Sequence, residues 1–314
     1  MTVSLRALED TLESRLLRWD TREPDPDTWR VLNALLWETH TALRQSPAEE
    51  RAQRLGAWRA RFHPYFLQAP CIRHAWRKPL GYAGDYQLMD TGYANMPEGE
   101  TALGRMLHQW FSLTLGGTAV RSRRRWILLE MQRHGRAHSE DWRVMSVASG
   151  SAWEFRDLLA ESFLVDRAQI RCVDQDPRAL AAARAGYDAA AQTFGRRAPI
   201  TFVHQDIRAL IRGQGEHPPQ DFVYSLGLYD YLDERAARRL TASLFGLLRP
   251  GGRLIVGNYN PSNDAQPLLE LIMDWPLIHR SAAEVAALAD GLDGEAAVVP
   301  DSTGTMNFLR IDRP

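Results

Sequence analysis

Apolar residues fall at helical spacing through the first third of the chain. Leu5, Leu8, Leu12 and Leu16 form one stripe, and Trp29, Leu32, Leu35, Leu36 and Leu43 form a second, so two amphipathic helices are predicted. Ser46-Pro47-Ala48-Glu49 then reads as a helix start, with Ser46 as capping hydroxyl, proline in the first turn and Glu49 closing a capping box. A Gly- and Tyr-rich connection covers Pro79 to Gly99. Beyond it, Leu103, Met106, Leu107, Trp110 and Phe111 mark another helix, and a basic helix runs toward Gly135. From Arg143 the texture changes to short β-branched runs alternating with Ala/Leu-rich stretches, as in a parallel sheet covered by helices. Strands are predicted near 143–148, 169–174, 200–204, 221–226 and 252–257, the last delivered by a tight turn at Arg249-Pro250-Gly251-Gly252. Ala296–Pro300 and Met306–Ile311 flank Asp301-Ser302-Thr303-Gly304 as a C-terminal β-hairpin. The expectation is an α/β protein, with an all-helical cap over 1–140 and a Rossmann-like sheet domain over 141–314.

Composition narrows the function class. A formal net charge of -1 over 314 residues gives no overall attraction to nucleic acid, so a small-molecule substrate is expected. The basic run Arg121, Arg123, Arg124 and Arg125 reads as a solvated helix face. Two cysteines, Cys71 and Cys172, support neither a disulfide framework nor a thiolate metal site. His63, His74, His108, His134 and His138 lack ligand spacing on one face, so no metal is expected. Neither a secretory leader nor a membrane span is visible, and a cytoplasmic location is expected. Oligomeric state is left open.

The chemistry-bearing residues gather at predicted strand ends, where open α/β sheets bind their ligands. Val144-Met145-Ser146-Val147-Ala148-Ser149-Gly150-Ser151-Ala152 reads as a buried strand entering a small-residue turn. Such a turn lets backbone N–H groups approach a ligand, and Ser146, Ala148 and Gly150 are its candidate contacts. Asp174, with Gln175 beside it, ends the next strand, where a carboxylate can accept both hydroxyls of a ribose. Asp176, preceding Pro177, reads as a helix cap. Asp206 and Ile207 follow the third strand as candidates for an adenine edge, and Ser225-Leu226-Gly227-Leu228 closes the pocket after the fourth. A nucleoside cofactor is the reading.

A second signature lies in the helical region, Arg77-Lys78-Pro79-Leu80-Gly81-Tyr82-Ala83-Gly84-Asp85-Tyr86-Gln87-Leu88-Met89-Asp90. Its glycines permit a backbone path close to a ligand, and Tyr82, Tyr86 and Tyr93 supply faces and hydroxyls. Arg77 or Arg73 offers a two-point partner for a carboxylate. The segment reads as a lid, with the alternative that Asp85 simply caps a helix beginning at Tyr86.

From Arg143 to Pro314 this layout resembles the class I S-adenosylmethionine methyltransferases. Where most members carry an aspartate and three glycines in the first turn, this chain has Ser146, Ala148, Gly150 and Ala152. Gly81-Tyr82-Ala83-Gly84-Asp85-Tyr86, Ser146-Val147-Ala148-Ser149-Gly150 and Gly227-Leu228-Tyr229-Asp230-Tyr231-Leu232 are similar to the bacterial methyltransferases of the 3-hydroxypalmitate methyl ester biosynthesis type. That resemblance implies a helical cap, a methyltransferase fold and S-adenosylmethionine, whose sulfonium suits aromatic faces. It leaves the acceptor open. A carboxylate acceptor needs no base, whereas an amine or hydroxyl requires one, for which Tyr82, Asp85, Tyr229 and Tyr259 are the candidates. His279, near Trp275 and Arg280, is a further candidate lining residue. Two alternatives stand beside transfer. One is closure of the cofactor's own amine onto its γ-carbon, which yields azetidine-2-carboxylate and methylthioadenosine, as in the methyltransferase-like azetidine-2-carboxylate synthases. The other is a binding protein without turnover. Base-amino methylation of nucleic acid is disfavoured, since Ser225-Leu226-Gly227-Leu228 stands where an Asn/Asp-Pro-Pro-aromatic run is required.

Overall fold

A computed structural model describes residues 4–19, 27–137, 141–161 and 163–314, and His138 falls outside them. The chain divides into two compact units, Met1–Thr118 with Asp264–Pro276, and Ala119–Asn263 with Leu277–Pro314. The division falls inside a helix rather than near residue 140, and a stretch following the fifth strand belongs to the first unit.

The first unit holds α1 (Leu5–Trp19), α2 (Thr28–Gln45), α3 (Ala48–Phe66), α4 (Pro70–Arg77), α5 (Tyr86–Ala94), α6 (Ala102–Leu113) and the start of α7 (Leu115–Gly135). The predicted stripes bury as expected, with Leu8, Leu12, Leu16 and Trp19 on α1 and Leu32, Leu35, Leu36 and Leu43 on α2. On α3, Trp58, Phe62 and Phe66 recur every fourth residue, with ring centroids 4.7 Å apart and tilted at 36° for the first pair. Each such ring contributes roughly 1.5–3 kcal/mol by leaving water.

The capping box at Ser46 does not form. Ser46 ends α2 instead: its N–H bonds the Leu43 carbonyl and its hydroxyl donates to Ala42 O at 3.1 Å, while Pro47 takes the α3 N-cap without a side-chain bond. With one residue between the last turn of α2 and Pro47, the hydroxyl satisfies the carbonyls behind it and not the amides ahead. Asp85 does cap α5, accepting from the amides of Gln87 and Leu88 at 2.9 and 3.1 Å.

The returning stretch carries a π-helical turn, Leu268–Ile272, and the carbonyls of its last three residues take side-chain donors. Side chains of α3 satisfy them. Arg59 donates to the carbonyls of Glu270 and Leu271 at 2.8 and 2.7 Å, and His63 Nε2 donates to Ile272 O at 3.0 Å. Glu270 meets His40 at 2.8 Å, and Asp274 meets Arg59 at 3.1 Å and Lys78 at 3.0 Å.

The second unit contains the rest of α7, then β1 (Trp142–Val147), α8 (Trp153–Glu161), β2 (Ala168–Asp174), α9 (Pro177–Phe194), β3 (Ile200–His204) and α10 (Ile207–Ile211). It continues with β4 (Gln220–Ser225), α11 (Glu234–Gly246), β5 (Leu248–Tyr259), α12 (Ala282–Ala286), β6 (Glu295–Pro300) and β7 (Met306–Asp312). The strands form one sheet in the order β3-β2-β1-β4-β5-β7-β6. β1 to β5 run parallel, and β7 inserts antiparallel between β5 and β6. Buried on both faces, β1 and β4 carry near-continuous apolar runs.

Local signals explain the boundaries. α9 starts at the Asp176 cap, which accepts from Arg178 N, has Pro177 in its first turn, and stops at Gly195, whose φ is +63°. Arg249–Gly252 is not a turn before β5 but a bulge within it, since Gln220 pairs with Leu248 while Phe222 already pairs with Arg253. The β6–β7 turn is organised by Asp301, whose Oδ1 accepts from the amides of Thr305 and Met306, both at 3.1 Å. Among the described residues no helix is long and apolar enough to cross a membrane.

Candidate active site

Strand order reverses between β1 and β4, and the crevice beyond that switch point is where an open α/β sheet takes a ligand. The turn leaving β1 is built for close approach. Ala148, Gly150 and Ala152 all adopt left-handed backbone, with φ of +52°, +53° and +50°. Two of the three carry a Cβ that this region disfavours by about 1–2 kcal/mol per residue. Ala148→Gly is therefore expected to raise stability by roughly 0.5–1 kcal/mol, after allowing for the freer unfolded chain. A calorimetric scan in which the midpoint drops would contradict that.

Asp174 stitches this turn to β2. Its Oδ2 accepts from Gly150 N at 2.8 Å and its Oδ1 from Asp176 N at 2.9 Å. Only 6% exposed, the carboxyl is pushed above its ordinary range by burial, with the amides of Asp176 and Gly150 acting against that shift. The Asp174 carbonyl in turn accepts from Gln205 N at 3.0 Å, and Ser149 N donates to Val173 O at 3.2 Å. Three strand ends are thereby held together around one carboxylate. Gln175 is exposed, and its carbonyl accepts from His204 Nε2 at 3.0 Å. Asp206 is exposed and caps α10 through Arg208 N at 2.8 Å. Ser225, the last residue of β4, is fully buried, and its hydroxyl has no hydrogen-bond partner among the described residues.

Several sequence-derived candidates are corrected. Ile207 turns its side chain into the core with Val173, Val223 and Leu240, so it offers a ligand no side-chain contact. Ser146 is buried inside the sheet and engaged by Tyr224, its partner across β1 and β4. Tyr229 is fully buried, its hydroxyl lies 3.1 Å from Thr241 Oγ1, and burial raises its pKa, so it is no general base. Asp85 is fully buried and committed to its cap and to His74, whose Nε2 lies 2.9 and 2.8 Å from the two carboxylate oxygens. A carboxylate so occupied has no access to an incoming proton donor.

Tyr259 ends β5 and is largely buried, with its ring 6.3 Å from that of His279. Asn263 Nδ2 donates to His279 Nε2 at 3.1 Å. In the helical unit, Tyr82 is half-buried in the loop before α5, while exposed Arg77 and half-buried Arg73 line an open groove with Ala60, His63 and Leu67.

Two further buried polar groups were not among the sequence candidates. Glu154, in the first turn of α8, accepts from Tyr224 Oη at 2.5 Å, and burial raises its pKa. Ser146, Tyr224 and Glu154 thus form a hydrogen-bonded chain beneath the turn. The second is a network of Asp230, after β4, Asn258, near the end of β5, and Arg280. Its Asp230 carboxyl is pushed up to about 7 by burial, against the pull of the Tyr259 amide, Arg123 and Arg280.

Sheet order and strand-end geometry define the Rossmann-like fold of the class I methyltransferases. Comparison with solved structures gives the same answer. A possible exported protein from Bordetella parapertussis aligns with a TM-score of 0.59 at 20% identity, covering 99% of this chain and 95% of that one. Magnesium protoporphyrin IX methyltransferase from Synechocystis PCC 6803, with bound S-adenosylhomocysteine, aligns with a TM-score of 0.51 at 13% identity, covering 72% of this chain and 94% of that one. No family model and no curated protein matches the sequence.

Proposed function

We propose that this chain is an S-adenosylmethionine-dependent methyltransferase whose acceptor is a small molecule, with a carboxylate oxygen as the preferred nucleophile. The observation that carries the reading is the buried Asp174 carboxylate. The carboxylate accepts from the amides of Gly150 and Asp176, with the Gln175 amide also acting on it, and offers its remaining lone pairs to ribose hydroxyls beside a turn of small residues in left-handed backbone. The likeness in fold to a methyltransferase holding S-adenosylhomocysteine supports it.

The reaction asks little of acid–base chemistry. An acceptor oxygen forms the new bond to the methyl carbon while the carbon–sulfur bond breaks and its electron pair passes to sulfur. A carboxylate is already ionised at neutral pH, so alignment and exclusion of water do most of the work. Removal of Tyr229 and Asp85 from the candidate bases favours an acceptor of that kind.

The test uses the whole chain with S-adenosylmethionine, first alone and then with a panel of aliphatic and hydroxy-substituted carboxylic acids. S-adenosylhomocysteine together with a base-labile methyl ester is the expected outcome. Methylthioadenosine from the cofactor alone would replace transfer by ring closure. Binding without either product would leave a ligand-binding protein, and absence of binding by calorimetry would end the reading.

A further inference from the structure

Asp230, Asn258 and Arg280 are 3%, 1% and 5% exposed, yet all three are polar and two are ionisable. Asn258 Nδ2 donates to Asp230 Oδ1 at 2.8 Å and reaches the carbonyls of Tyr259 and Ile278 at 2.9 and 2.8 Å. Asn258 Oδ1 accepts from Arg280 at 2.5 Å, and the same guanidinium donates to the carbonyls of Tyr229 and Leu232. Asp230 Oδ1 also takes the Tyr259 amide at 2.7 Å, and the Asp230 carbonyl takes the Ile278 amide at 2.8 Å. Arg280 N donates to Tyr259 O at 2.9 Å. Asn307 on β7 closes the set by donating to Arg280 O at 3.2 Å.

Four chain segments therefore meet on one polar cluster: the turn after β4, the end of β5, residues 278–280, and β7. An apolar cluster of equal volume would hold such a junction as firmly, because buried polar and ionisable groups recover little beyond their own desolvation. What the polar set adds is register, since its donors and acceptors are matched in direction and pair only where these segments lie as they do. The side chains whose backbones it pins are Tyr259 and His279, on the ligand-binding edge of the sheet. We propose that Asp230, Asn258 and Arg280 are positioning residues that hold the Tyr259 and His279 side chains in the single arrangement that receives the methyl acceptor. This rests on the methyl-transfer reading above.

The test compares the unchanged chain with Asp230→Asn, Arg280→Lys and Arg280→Ala. Three readouts are taken: S-adenosylhomocysteine affinity by calorimetry, the His279 ring resonance in a histidine-labelled sample assigned through His279→Gln, and turnover with the carboxylic acid panel. Asp230→Asn and Arg280→Ala are expected to keep cofactor affinity within threefold, to shift or split the His279 resonance, and to lower kcat at least 30-fold with KM for S-adenosylmethionine unchanged. Arg280→Lys is expected to recover at least fivefold over Arg280→Ala. Thermal unfolding shows which variants fold, and Asp230→Asn, the isosteric change, decides alone if the arginine variants do not. A native His279 resonance in Asp230→Asn, or equal loss of cofactor affinity and turnover, overturns the proposal while leaving methyl transfer intact. If the unchanged chain binds no S-adenosylhomocysteine, the underlying reading fails and the proposal with it.

Discussion

Asp174→Ala is expected to weaken S-adenosylmethionine binding by about 10²–10⁴-fold, the loss of two hydrogen bonds to a charged acceptor at roughly 1.5–3 kcal/mol each. The substitution also strips the amides of Gly150 and Asp176 of their partner, so the turn after β1 loses its attachment to β2. Asp174→Asn is the milder change, since it gives up only one of the two backbone attachments. It keeps one acceptor oxygen and the shape of the side chain, so its loss should stop at about tenfold. Titration calorimetry with S-adenosylhomocysteine reads both, and an Asp174→Ala affinity within threefold of the original would remove the carboxylate from the site.

The second large effect is on stability against pH. The Asp230 carboxyl titrates near 7 in the folded chain, against an ordinary 3.8. Between those values the folded chain keeps a proton that the unfolded chain has released. The stability this contributes is complete below about pH 4 and is lost as pH rises through 7. At 1.36 kcal/mol per unit the full swing is up to about 4 kcal/mol. Asparagine does not titrate. Asp230→Asn should therefore gain, relative to the unchanged chain, roughly 2–4 kcal/mol between pH 4.5 and pH 8.5 in urea unfolding. A stability difference independent of pH would contradict the assignment. A variant stabler at alkaline pH but slower in turnover is the pattern of a residue retained for function.

The strands and the start of α9 were legible because their signals are local: buried β-branched runs, and Asp176-Pro177 as a cap. Ser46 misled because a serine between two helices can serve the carbonyls behind it or the amides ahead, and the sequence pattern is the same for both. Tyr229 was misread because its hydroxyl's surroundings depend on Thr241 of α11, which is brought over it only by tertiary packing. Glu154 had a readable signal. It lies one helical turn before Leu158, both buried on α8, and a carboxylate on an apolar face needs a partner. That partner, Tyr224, lies 70 residues away, beyond the reach of local pattern. The unit boundary was hidden because α7 runs unbroken through it.

Because the chain passes between its units after residues 118, 263 and 276, the helical unit is discontinuous in the gene. A segment ending at Thr118 encodes His40, Arg59 and Lys78 without Glu270 and Asp274, the acids they meet. Exchange of that unit by recombination would need two matched insertions at once. Point substitution is then the readier evolutionary route to altering it.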